Sequence, residues 1–190
     1  MATSDRRIAI RVGPQRSFRR WGNGVPASVL GSYALLWIGT LLAAAVALPF
    51  ADSVRQALGH RLAPAQPGTV SMAVFIAANN MREAAVPVLF AALALGRRRW
   101  SVAIGDAVVG ASFAANVALG GLALGAYGFQ LTHYLPQWPL EWGGLAVALS
   151  AWRRARAGRG GYSELVLLAL SAATLLCLAA LIETYVVPQS

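Results

Sequence analysis

The residues able to do chemistry crowd into one apolar stretch, FIAANNMREAAVP at residues 75–87, where Asn79, Asn80, Arg82 and Glu83 fall within five positions. A charge at the centre of a membrane helix costs about 2.5–3.5 kcal/mol even on insertion scales, so such groups are packed against a partner or put to use. On a helix, Asn79 lies one turn from both Arg82 and Glu83, so these three share a face. Pro87, lacking an N–H, leaves the carbonyl of Glu83 without its helical donor. Two amides, a guanidinium and a carboxylate can pair ions, bind a polar solute or hold irregular backbone in place. Catalysis would need more: no HExxH, nucleophile elbow, Walker loop or same-helix carboxylate pair is present. The chain is therefore expected not to be an enzyme and to use no cofactor or metal. His60 and His133 are too far apart in sequence to read as ligands, and the lone Cys177 excludes an intramolecular disulfide.

The elements that position this cluster follow from composition. The 190 residues are 57% hydrophobic and only 12% charged, with a mean hydropathy of +0.57. A soluble domain is nearer a quarter charged. This predicts an all-α, polytopic membrane helix bundle in the cell membrane. The net charge of +9 comes from arginine without lysine, clustered between apolar spans. That pattern suits loops facing anionic lipid rather than nucleic acid.

Five spans are expected, at residues 27–49, 69–96, 101–127, 138–152 and 162–187. They form a membrane domain, 27–188, behind a basic arm, 1–26, that lies in the cytoplasm or the headgroup layer. Residues 50–67 read as an outer loop. The fourth span is short, so the Leu135–Pro139 stretch should dip into the membrane as a re-entrant segment, buried in protein or facing a wet cavity. Thirteen of the sixteen arginines fall on one side of this topology, which makes it N-in and C-out. Trp21, Trp100 and Trp152 then mark the inner interface, with Trp138 and Trp142 in the outer half. The third span is rich in small residues and carries Gly121-x-x-x-Gly125, suited to close packing or dimerisation.

Helical rise places the polar groups at matching depths. Arg82, Asn79 and Asn80, Asn116 and Glu141 all stand about 17–27 Å above the inner arginine anchors, with Glu183 higher, at the outer interface. The expected knot pairs Arg82 with Glu141, Glu83 being the other candidate, while the asparagines satisfy nearby backbone. Asp106, about 8 Å above Ser101, reads as an acid satisfied near the arginine clusters, or else as an inner-half site.

Several of these residues also carry a family resemblance. Asn79-Asn80-x-Arg82, Asn116 with Leu124-Gly125, Pro136-Gln137-Trp138-Pro139-Leu140-Glu141 and the closing Ala180-Leu181-Ile182-Glu183-Thr184-Tyr185-Val186-Val187-Pro188 occur in order. Together they resemble the landmarks of the stage II sporulation protein M family of integral membrane proteins. Gln137 and Trp138 stand where that family has histidine and glycine. The resemblance implies a protein without chemistry of its own, a scaffold or anchor for partner envelope proteins. The alternative is a permease-like transport subunit, served by a separate ATPase and able to pair as a homodimer, with the polar layer lining its path.

Overall fold

A computed structural model describes residues 24–58, 68–96, 99–128, 130–131 and 136–186. The described residues are helical apart from short turns and connections. They comprise α1 (Val25–Ala47), α2 (Ala51–Leu58), α3 (Val70–Leu95), α4 (Arg99–Tyr127), α5 (Trp138–Arg156) and α6 (Tyr162–Tyr185), with a 3-10 turn at Leu48–Phe50 between α1 and α2. The basic arm up to residue 23, His60, His133 and most of the 129–135 connection lie outside the described residues.

Three helical stretches are long and apolar enough to cross a membrane: Val25–Ala57, Trp100–Tyr127 and Tyr162–Tyr185. The polar residues of α3 and the arginine run of α5 dilute the hydropathy of those two helices. Both nevertheless run alongside the other three. At one end of the bundle Gly24 approaches the Arg154 guanidinium, and the Tyr162 hydroxyl donates to the Ala92 carbonyl. At the other end Gly68 lies against the backbone of Thr184, and Gly125 against that of Ala44. Successive long helices therefore alternate in direction between an arginine-rich end and an opposite end.

The shortest of the five, α5, is the buried one. Eleven of its 19 residues are buried, including the continuous run Gly144–Trp152. It is wrapped by α1, α3 and α6. A helix surrounded by helices needs little apolar bulk facing lipid, which explains its low hydropathy. Gly144 lets α6 approach it, since a Cβ there would fall 2.7 Å from Leu176, itself fully buried.

Three expectations change. The 50–67 loop is helical over its first part: Pro49 breaks regular α geometry for one 3-10 turn, and the chain then resumes as α2, with Asp52 and Arg55 paired at 3.2 Å across one turn. The fourth helix extends to Arg156 rather than stopping at 152, because its arginines suit the negative end of the helix dipole. Trp152 and Trp142 are not belt residues. Trp152 is 3% exposed and meets Phe90 edge-on at 6.2 Å, while Trp142 and Trp138 both pack on Trp37. Only Trp100 among the described tryptophans of the expected belt is exposed.

The glycine pair of α4 serves contact within the chain. A Cβ on Gly121 would sit 2.3 Å from that of Ala43 and 2.7 Å from the Thr40 carbonyl oxygen, and one on Gly125 would sit 2.5 Å from the Ala44 oxygen. Backbone cannot yield as a side chain can. Gly121→Leu should therefore push α1 from α4 and cost about 1–3 kcal/mol, the usual range for overpacking. Thermal unfolding in detergent would show it, with Gly110→Ala, where a Cβ meets nothing within 4 Å, as the harmless control.

Candidate functional site: a polar cavity among α3, α4 and α5

Asn80 and Glu83 lie on the inward side of α3, one turn apart, and each reaches a different neighbour. The Asn80 amide donates to Glu141 Oε1 of α5 at 2.9 Å. Glu83 Oε2 accepts from Ser112 Oγ at 3.0 Å and from Asn116 Nδ2 at 3.2 Å, both on α4. The same Asn116 nitrogen donates to the Ser112 carbonyl at 3.0 Å, one turn back, which fixes the side chain against its own helix. These bonds join three helices at one level. Glu183 lies half-buried near the end of α6.

The expected Arg82–Glu141 pair is not formed, and the other candidate, Glu83, is the partner. Arg82 meets Glu83 at 3.4 Å, not Glu141, and its side chain is 75% exposed. Asn79 is exposed as well. The four-residue cluster therefore divides: Asn80 and Glu83 face the bundle, while Asn79 and Arg82 face away from it. Sequence spacing allowed this, since consecutive helical positions are separated by about 100° around the axis. Ala84, Pro87 and Ala91 are buried, and this small-residue face fixes which side of α3 turns inward.

Around the inward groups is a cavity of about 200 Å³. Asn80, Glu83, Asn116 and Glu141 form its polar wall, with Trp138 and Trp142 opposite and Leu176 behind. Leu119 on its rim is 56% exposed, so the cavity reaches the surface of the bundle there. The volume far exceeds what one ordered water needs, and the wall offers the polar partners that water requires. Its ionisable lining groups are two carboxylates: Glu141, held by the Asn80 amide, and Glu83, held by Ser112 and Asn116 and met from outside the cavity by Arg82. Acceptors in excess over donors favour a solute that brings its own N–H, O–H or positive charge.

Gln137, which precedes α5, is 2% exposed, and its side-chain oxygen has no hydrogen-bond partner among the described residues. Its burial agrees with a chain that enters the bundle just before Trp138. Of the expected Leu135–Pro139 dip, Trp138 and Pro139 instead begin α5, Pro136 and Gln137 form the turn before it, and Leu135 lies outside the described residues.

Two features escaped sequence reading. Ser112 completes the α3–α4 bonds, and only its placement one turn before Asn116 hinted at it. Arg154 and Glu164 form a bidentate ion pair across the α5–α6 turn, one arm of it at 3.1 Å, with the two side chains 12% and 7% exposed. Their ten-residue spacing becomes a contact only because the turn at Gly158 and Gly160, both at positive φ, folds α6 back on α5. Among the described residues no group of three His, Cys, Asp or Glu could hold a metal ion.

Comparison with known proteins found no matching family model, no matching curated protein and no matching solved structure.

Asn80→Leu should remove the donor that holds Glu141 and leave that carboxylate facing the cavity alone. An unsatisfied buried acceptor costs about 1–3 kcal/mol. The expected result is a lower unfolding temperature, restored by the further change Glu141→Leu, which removes the acceptor too.

Proposed function

We propose that the chain is a permease-like membrane subunit, crossing the cell membrane five times with its N-terminus inside, whose cavity in the outer half takes a small polar or cationic solute. The observation that carries this reading is the cavity of about 200 Å³ walled by Asn80, Glu83, Asn116 and Glu141. A protein that only anchors others has no use for a hydrated void at that depth; a dry, sealed knot would be more stable. The alternation of five long helices between an arginine-rich and an opposite end supports the topology, with the arginines on the cytoplasmic side. The chain holds no nucleotide-binding loop, so an energised version of this function depends on a separate ATPase. Asn80, Asn116 and Glu141, three landmarks of the resemblance to the stage II sporulation protein M family, meet at this one cavity, which supports membership of that family.

A second reading has its own observation. Asn79 and Arg82 lie on the outward face of α3, with Arg82 twelve residues from one helix end and thirteen from the other. A scaffold would cover that face with a partner membrane helix bringing a carboxylate to Arg82. Gentle detergent extraction and identification of what accompanies the protein separates the two. The permease-like reading expects an ATPase. The scaffold reading expects an envelope protein without one, released by Arg82→Leu. Recovery of the protein alone, as a monomer, would count against both.

A further inference from the structure

A larger cleft, about 450 Å³, opens along the same face of α5 nearer its arginine-rich end and shares no lining residue with the polar cavity. Its walls are α1 and α4 and its floor is Leu149 and Trp152 of α5. Its shape follows from the glycine seam. Helices α1 and α4 touch backbone to backbone at Gly121 and Gly125, are still close at Gly39, where a Cβ would lie 2.8 Å from Val117, and have parted by Gly110, where a Cβ would meet nothing within 4 Å. The cleft thus widens toward the arginine-rich end. Leu35, Gly110 and Ala114 on its rim are exposed, so its side is open to the surrounding bilayer.

The cleft is apolar along its length and charged at its mouth. Arg153 reaches across to α1 and donates to Ser32 Oγ at 3.2 Å. Arg156 reaches the other way, to Asp106 of α4 at 2.9 Å. The two guanidiniums bracket the opening, and with Asp106 neutralised by one of them the mouth keeps a net positive charge. Both arginines are exposed and keep free N–H donors.

An apolar slot open to lipid, leading to two arginines at headgroup depth, has the form of an amphiphile with an anionic head. We propose that the cleft holds one acyl chain of an anionic phospholipid, whose phosphate is taken by Arg153 and Arg156. Basic sites between membrane helices on the cytoplasmic side recognise anionic headgroups in this way, and the bidentate fork of arginine suits phosphate. The bound lipid would fill the wedge between α1 and α4 that α5 alone leaves open. This inference does not depend on the solute cavity.

The test uses the full chain in detergent, titrated with phosphatidylglycerol or phosphatidylcholine and read by native mass spectrometry. The expected result is one phosphatidylglycerol retained at least ten-fold better than phosphatidylcholine. Gly110→Leu, which extends into the cleft from a position where a Cβ meets nothing within 4 Å, and Arg153→Gln with Arg156→Gln should each lower retention at least ten-fold, while Gly110→Ala keeps it. Ala114→Leu on the same rim repeats the blocking test should Gly110→Leu express poorly. Equal retention of both lipids, or undiminished binding in the folded cleft-filling variants, would overturn the proposal.

Discussion

Glu164→Ala should lower the stability of the protein by about 3–5 kcal/mol, the loss seen when one partner of a buried ion pair is removed. Arg154 would be left with its guanidinium 12% exposed and its carboxylate gone. The effect is large because the pair closes the only short connection that the structure describes between two long helices, at Gly158–Gly161. Gly160 adds to it: a Cβ there would fall 3.0 Å from the Glu164 carboxylate, so this residue must stay small as well as hold its positive φ. Arg154→Ala should cost a similar amount. Arg154→Met with Glu164→Leu should recover most of it, since replacing both charges by apolar groups is often neutral. Thermal unfolding of the four proteins in one detergent forms a double-mutant cycle, and additive losses would show that the two side chains act separately.

The second large effect runs in the opposite direction. Arg82→Leu should stabilise the isolated chain in lipid by about 2.5–3.5 kcal/mol, because it removes a charge from the middle of a helix face that no described residue covers. Its 3.4 Å contact with Glu83 offsets little of that cost, since the side chain is 75% exposed. If a partner helix supplies a carboxylate, the same substitution should weaken the assembly while stabilising the free subunit. Unfolding in detergent and the size of the native complex, measured together, separate these effects. A destabilised monomer would mean that Arg82 is bound within its own bundle after all.

Much of this architecture was legible. Arginine clusters marked one end of the bundle, and counting helical rise from them placed Asn80, Asn116 and Glu141 at one depth, where Asn80 and Glu141 bond directly and Asn116 bonds to Glu83. Small residues marked α4 as a close-packing helix. What spacing alone left open was rotation. Asn79 and Asn80 are neighbours in sequence but look in different directions, and the choice between them was made by the small, buried side of α3 packing on α5 and α6. The division of labour between α5 and α4 was hidden for a similar reason. Hydropathy ranks α4 as the membrane helix and α5 as the weak one, yet α5 is the core and α4 stands partly off it. Hydropathy measures what faces lipid, not what lies at the centre.

The central claim is that α3, α4 and α5 turn their polar side chains onto a cavity that holds water. Thiol labelling measures this directly. In a Cys177→Ala background, Gly120→Cys places a sulfhydryl on the cavity wall, where a Cβ fits at 3.4 Å from Trp142. The account predicts modification by a small, membrane-impermeant, charged thiol reagent added to the outer face, with the lipid-facing Ala115→Cys on the same helix unreactive. Gly120→Cys remaining as inert as Ala115→Cys would contradict it.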